Sequence, residues 1–113
     1  MSKNTIQSKN EGWFSGSEGQ LAIDVYETKA DVIIKAPIAG VRLDDLEISV
    51  TDEIINIKGE RKQIEEIIEG KYHAQECYWG AFSRSFNLPA AVITEKTEAT
   101  IKDGILVIKM PKK

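Results

Sequence analysis

The dipeptide Asp103-Gly104 places the strongest single constraint on how this chain folds. Both residue types tolerate the positive φ angles of a type I′ turn, and apolar residues flank them, so residues 99–111 are predicted to form a β-hairpin. A two-residue turn sets Ile101 opposite Leu106 and Ala99 opposite Ile108. The second arm is apolar at consecutive positions, so we expect one of its faces to lie in a core and the other, with Ile105 and Val107, to point outward.

Alternation of apolar and polar residues recurs along most of the chain from residue 21. Short runs with a period of two residues, rich in β-branched side chains and separated by turn residues, predict strands. The runs are "LAIDVYE", "DVIIKA", "DLEISVT", "EIINIKG", "FSRSFNLP", "TEATIK" and "ILVIKM". About seven closely spaced strands are typical of an all-β chain folded as an antiparallel sandwich or barrel.

Two segments lack this alternation. Residues 1–20 are rich in Ser, Asn, Gly, Lys and Glu, which predicts a flexible N-terminal arm. Its aromatic pair Trp13-Phe14 either packs on its own domain or provides a contact for a partner chain or another protein. Residues 60–80 begin with a highly charged stretch and continue with "YHAQECYW", which is predicted to be extended. An insertion of this length between strands predicts a protruding arm. The first part of that arm has helical spacing at Ile64, Ile67 and Ile68.

Charge and composition exclude several classes of partner and location. The net charge is −3, which gives no electrostatic footprint for nucleic acid or for an anionic membrane. The N-terminus has no apolar signal region, and no apolar run is long enough to span a bilayer. A single cysteine fits a reducing compartment, so we expect a cytoplasmic protein.

The sequence offers no constellation that supports catalysis. One histidine and one cysteine are too few for a zinc site, and the spacing of the glycines matches no phosphate-binding loop. In an extended strand, His73 and Cys77 lie about 13 Å apart, too far for a base to activate a nucleophile. We therefore predict a non-enzymatic interaction module with no cofactor and no metal.

Five stretches in order resemble the alpha-crystallin domain of bacterial-type small heat shock proteins. They are "APIAGVRLDDLEISV", "INIKGERK", "KYHAQE", "GAFSRSFNLP" and "ATIKDGIL". The resemblance runs from about residue 20 to residue 111. It implies a flexible N-terminal arm over residues 1–20, an alpha-crystallin domain over residues 21–111 and a truncated C-terminal end at residues 112–113.

The resemblance implies an immunoglobulin-like antiparallel β-sandwich with a protruding arm that carries a swapped strand. It also implies an ATP-independent holdase chaperone of the stress response, which binds non-native proteins and prevents their aggregation. The partners are then unfolded client proteins and a second copy of the chain in a homodimer formed by strand exchange. No Ile-x-Ile motif follows the last strand here, so the number of subunits above the dimer stays open.

The resemblance assigns residues to two surfaces. Client contacts are expected in a groove between the strands near 46–50 and 97–102, on the outer side of the last strand and on the N-terminal arm: Ile48, Val50, Ala99, Ile101, Ile105, Val107, Trp13 and Phe14. Residues 71–77 are expected to cross to the partner's strand near residues 21–26. The expected dimer contacts are Tyr72, Ala74, Glu76, Arg84, Ile23 and Val25.

Two alternatives stay open at this stage. A sandwich of this kind also serves as an adaptor module that binds a defined folded partner, as in the CS-type cochaperone domains, which lack the swapped strand. Arg84 either pairs with Glu76 across the dimer interface or is an exposed arginine on a strand.

Overall fold

The inward-pointing side chains of two β-sheets form the core of this protein. A computed structural model describes residues 19–63 and 70–113, and these ranges contain eight strands. The strands are β1 (Gly19–Gln20), β2 (Asp24–Glu27), β3 (Asp31–Pro37), β4 (Leu46–Val50), β5 (Ile54–Arg61), β6 (Gly80–Asn87), β7 (Glu98–Lys102) and β8 (Ile105–Pro111). Short 3-10 turns at Leu43–Asp45 and Thr94–Lys96 precede β4 and β7.

The first sheet has the strand order β1-β6-β5-β4, and the second has the order β2-β3-β8-β7. Neighbouring strands are antiparallel except β1 and β6, which run parallel. The predicted all-β sandwich is therefore confirmed, with one short parallel pair at an edge.

Alternate residues of β3, β5 and β8 fill the space between the sheets. Leu106, Ile108 and Met110 are fully buried, as are Val32 and Ile34 on the neighbouring strand. Ile55, Ile57, Phe82 and Leu21 complete the layer from the opposite sheet. The odd-numbered residues of β8 point away from this core. This strand, which is apolar on both faces, lies in the middle of its sheet, between β3 and β7.

The hairpin between β7 and β8 has the register that its turn residues predict. Ala99 pairs with Ile108 and Ile101 pairs with Leu106. Asp103 and Gly104 both have positive φ angles, 54° and 77°, as a type I′ turn requires. The Gly104 carbonyl also accepts a hydrogen bond of 2.8 Å from the Ile38 N–H, which attaches the turn to the loop after β3.

The run at residues 21–27, expected to be a single strand, is divided between the two sheets. Gly19 and Gln20 pair with β6, and the Leu21 N–H donates a hydrogen bond of 3.1 Å to the Ser83 carbonyl. Residues 24–27 pair instead with β3. The single-strand prediction is wrong because inward-pointing residues have the same spacing in both sheets, so alternation cannot reveal a crossing between them.

The ends of the described chain are held in the sandwich. Residues 19–20, which the sequence assigns to the N-terminal arm, form β1. The Lys112 N–H donates to the Ala30 carbonyl and the Lys113 N–H to the Ala91 carbonyl. The expected helix at Ile64, Ile67 and Ile68 and the rest of the N-terminal arm lie outside the described residues. Among the described residues, no helix is long and apolar enough to cross a membrane.

Close packing explains why the second residue of the "KGER" stretch, Gly59, is a glycine. A Cβ atom there would lie 2.7 Å from Phe82 Cζ and 2.8 Å from Leu46 Cδ2, closer than packed atoms allow. The next inward residue, Arg61, donates a hydrogen bond of 2.9 Å from Nε to the Ala39 carbonyl. This end of β5 therefore ties the loop after β3 to the first sheet.

Replacing Gly104 by valine is expected to destabilise the domain by about 1–3 kcal/mol, because a β-branched residue must adopt a positive φ angle there. That loss corresponds to a fall in melting temperature of about 4–8 °C per kcal/mol, measured by circular dichroism. Thr100→Val on the same hairpin is the control, since this residue is exposed and lies within β7. Equal melting temperatures for the two variants would contradict the turn.

Candidate binding surfaces

Within residues 19–63 and 70–113, the four edge strands of the sandwich each have backbone groups on one side with no strand partner. Three residues connect β1 to β2, so these two edges lie on the same side of the molecule, and β4 and β7 form the edges of the opposite side. Unpaired N–H and C=O groups on such edges are available to an extended segment of another chain. Each side of the sandwich is therefore a place where a strand can be added.

The side bordered by β4 and β7 presents a row of aliphatic residues. Ile48 and Val50 on β4 and Ala99 and Ile101 on β7 are half-buried, and all four pack against the core. They point inward, and no other described strand lies beside β4 or β7, so the outer atoms of these residues line a groove that the described part of the chain leaves open. The structure thus places the four sequence-predicted groove residues on the two edge strands of one side.

The outer face of the second sheet carries an apolar strip. Ile105, which is 38% exposed, lies opposite Pro37, and Val107 lies two pairs further along β8, on the same face. Ile33 is diagonal to Val107 and opposite Lys109. We call Ile33, Pro37, Ile105 and Val107 the outer strip. Ile33 was missed at the sequence level, although "VII" in β3 is apolar at consecutive positions, as β8 is.

The outer face of the first sheet differs in chemistry. Its outward residues on the two central strands are mostly hydroxyl, amide and charged side chains: Asn56, Lys58, Glu60, Ser83, Ser85 and Asn87. The Ser85 hydroxyl donates a hydrogen bond to the Asn56 side-chain oxygen. This polar face therefore contrasts with the face that carries the outer strip.

Residues 70–79 form an extended segment whose members are all exposed. Tyr72 is 47% exposed, and its hydroxyl accepts a hydrogen bond of 3.1 Å from Gln63 Nε2. Ala74 and Glu76 make no backbone hydrogen bond to another described residue. Among the dimer contacts expected from the sequence, these three lie on an exposed segment that has no strand partner in the described chain.

The other expected dimer contacts lie on or beside β2. Ile23 and Val25 are half-buried and pack against the core, so β2 offers its backbone edge rather than these side chains to a partner. Tyr26 points outward and is 43% exposed, with Lys35 Nζ 5.6 Å from the centre of its ring. Glu27 forms an ion pair of 2.7 Å with Lys112.

Arg84 is held inside the sandwich. It alternates along β6 with Phe82 and Phe86, so its side chain starts on the inner face, and one Nη atom donates a hydrogen bond of 2.9 Å to the Leu21 carbonyl. The residue is half-buried, so the alternative of an exposed arginine is wrong. The structure assigns Arg84 to the junction between β1 and β2, and its pairing with a partner's Glu76 stays a prediction.

The described residues contain no group of three or more His, Cys, Asp or Glu side chains that could hold a metal ion. Cys77 is a free, exposed thiol, and His73 is exposed on the same segment. Trp13 and Phe14 lie outside the described residues.

Comparison with known proteins identifies relatives along the whole described domain. The model of the Hsp20/alpha crystallin family matches residues 18–113. Small heat shock protein C4 of Rickettsia felis is 38% identical over 90 residues, which are 80% of this chain and 55% of that protein. Spore protein SP21 of Stigmatella aurantiaca is 31% identical over 117 residues, covering 100% of this chain and 69% of that protein. The chain thus spans about half to two thirds of these curated relatives.

Solved structures share the architecture. Heat shock protein 16.0 from Schizosaccharomyces pombe superposes with a TM-score of 0.77 and 30% identity, over 84% of this chain and 88% of that chain. The hspA protein from Xanthomonas axonopodis superposes with a TM-score of 0.75 and 25% identity, over 86% of this chain and 97% of that chain.

Replacing Arg84 by methionine is expected to lower the stability of the domain by about 1–3 kcal/mol, because the Leu21 carbonyl loses its side-chain donor in a half-buried position. Thermal unfolding measures the change. Lys58→Met is the matched control, since it removes one positive charge from the exposed face of the neighbouring strand β5. If the two variants melt at the same temperature, the hydrogen bond of Arg84 does not support the fold.

Proposed function

This chain belongs to the Hsp20/alpha crystallin family, and we propose that it acts as an ATP-independent holdase that binds non-native proteins and prevents their aggregation. Small heat shock proteins are chaperones without enzymatic activity. The sequence-level expectation of a non-enzymatic protein agrees with this family. We further propose that it acts in the cytoplasm.

The observation that supports this proposal is the aliphatic groove between the free edges of β4 and β7. A non-native client exposes apolar segments, and an extended segment laid in the groove can bond to the edge backbone while burying its side chains against Ile48 and Ile101. Burial contributes about 25 cal/mol per Å² of apolar surface without requiring a particular side-chain geometry. This non-directional contact suits a protein that binds many different clients.

No nucleotide is needed for such an activity. Binding of the unfolded client competes with the self-association of that client. Each bound client lowers the concentration of free unfolded chains, and therefore the rate at which they aggregate. Ile105 and Val107 on the outer strip add apolar surface that is accessible without opening the core. We include them, with Trp13 and Phe14, among the proposed client contacts.

We also propose that the chain forms a homodimer by exchange of residues 71–77. In this dimer the exposed segment of one protomer adds a strand to the free edge of β2 in its partner. Each exchange satisfies backbone groups of β2 and of the segment, which otherwise bond to water. Because the arrangement is reciprocal, two copies of the same pairing form at once.

The groove proposal predicts that Ile48→Val and Ile101→Val each weaken client protection roughly fourfold, since each variant loses one buried methylene, worth about 0.8 kcal/mol. Protection is measured as the chain-to-client ratio that halves light scattering by a heated client without ATP. The controls, Ser49→Thr and Thr100→Ser, change outward-facing neighbours on the same strands. If the native chain suppresses no aggregation at stoichiometric ratio, an adaptor module that binds a folded partner becomes the better proposal.

The exchange proposal predicts that Ala74→Pro raises the dimer dissociation constant about fivefold or more, because proline removes one backbone donor from the added strand. Sedimentation equilibrium measures the constant. Ala74 makes no backbone hydrogen bond to another described residue, so the fold of the protomer keeps its melting temperature. Ala74→Ser keeps the backbone N–H and is the control. A native chain that sediments as a monomer, or a proline variant that dimerises normally, would contradict the exchange.

A further inference from the structure

We propose that residues 1–18 of each chain dock on the outer strip of the same chain, with Trp13 and Phe14 packed against Ile33, Pro37, Ile105 and Val107. The strip is an apolar surface without a cover among the described residues. The aromatic pair is the largest apolar feature of a segment whose other residues, apart from Met1 and Ile6, are polar or glycine. The argument depends on where that segment enters the domain and how far it reaches.

The entry point and the strip lie at the same end of the sandwich. Gly19 pairs with Phe82, which pairs with Gly59, and Gly59 pairs with Leu46 at the start of β4. The loop that leads into β4 begins after Pro37, which pairs with Ile105. The segment therefore enters the domain at the end where Pro37 and Ile105 lie.

The number of residues between the aromatic pair and the entry point matches the path to the strip. The path rounds the edge of the sandwich at the level of Pro37, beyond Asp24 where β2 begins opposite Lys35, and so avoids the β2 edge proposed for the partner. It is about 15 Å to β3 and about 20 Å to β8, given sheets about 10 Å apart and strands about 4.8 Å apart. Phe14 is five residues before Gly19 and Trp13 is six, so an extended chain spans about 17–20 Å. The aromatic pair thus reaches the strip, whereas the residues closest to Gly19 do not.

The entry point is held in place by a tyrosine. A Cβ atom on Gly19 would lie 3.2 Å from Tyr78 Cε2, so the ring packs directly on the backbone of β1. The Tyr78 hydroxyl donates a hydrogen bond of 2.5 Å to the Ala81 carbonyl, and the Leu21 N–H bonds to Ser83. These contacts anchor the tether where it leaves the sheet.

Tethering favours the chain's own segment over a free partner. A tether of a few residues gives an effective concentration in the millimolar range, which a dilute client does not reach. Tryptophan and phenylalanine each bury about 150–250 Å² when they pack, which suits a strip of four apolar residues. Docking therefore requires no partner. If the holdase proposal is correct, the segment also competes with clients for Ile105 and Val107.

Disulfide trapping tests the location. In a Cys77→Ser background, Ser15→Cys combined with Lys35→Cys places one thiol beside the aromatic pair and one on β3 beside the strip. The matched control is Ser15→Cys with Lys58→Cys, an exposed lysine on the polar face that is nearer to β1 than Lys35 is. We expect an intrachain disulfide at position 35 in clear excess over position 58.

Each other pattern of cross-links overturns the proposal. Faster cross-linking to position 58 shows that the tether samples both faces without docking. A disulfide-linked dimer at position 35 shows that a second copy is the occupant. No cross-link at either position shows that the segment lies elsewhere.

Fluorescence gives a second test that keeps the aromatic pair and the strip otherwise intact. In a Trp79→Phe background, Trp13 is the sole tryptophan. Ile105→Lys is expected to lower the ratio of docked to undocked segment about tenfold and to increase acrylamide quenching of Trp13. Ser49→Lys, an exposed position on the outer face of the other sheet, is expected to leave quenching unchanged. Equal quenching in both variants refutes docking, and client protection by the native chain tests the holdase activity separately.

Discussion

Burial of the alternate residues of β3 and β8 against the opposite sheet is the interaction on which the rest of this structure depends. Leu106, Ile108 and Met110 are fully buried, and so are Val32 and Ile34 beside them. Because strand side chains alternate between faces, fixing these residues inward also fixes which residues point outward. The outer strip and the lysines that flank it are therefore a direct consequence of the register that the core imposes.

The free edges follow from the same arrangement. Two sheets of four strands close a core without closing the sandwich, so β4 and β7 on one side and β2 on the other leave backbone groups without strand partners in the described chain. In a protein that works alone, such edges are a hazard, because they pair with other chains. In this fold, each edge with its neighbouring apolar surface corresponds to one proposed interaction: clients in the groove and a second protomer at β2.

The sequence predicts the hairpin well because its information is local. Asp103 and Gly104 determine the turn, and the turn determines the register of Ala99 and Ile101. It predicts less well where the relevant contact is distant. The crossing at Leu21 depends on a hydrogen bond to Ser83, and the half-buried place of Arg84 depends on the Leu21 carbonyl, 63 residues away. Alternation predicts which face of a strand a residue occupies, but it does not predict which other strand lies beside that residue.

The two outer faces of the sandwich differ in polarity. One broad surface carries serine, asparagine and charged residues, and the other carries isoleucine, valine and proline between lysines. A second molecule that meets the domain on one face therefore encounters hydroxyl, amide and charged groups, whereas on the other face it encounters aliphatic side chains.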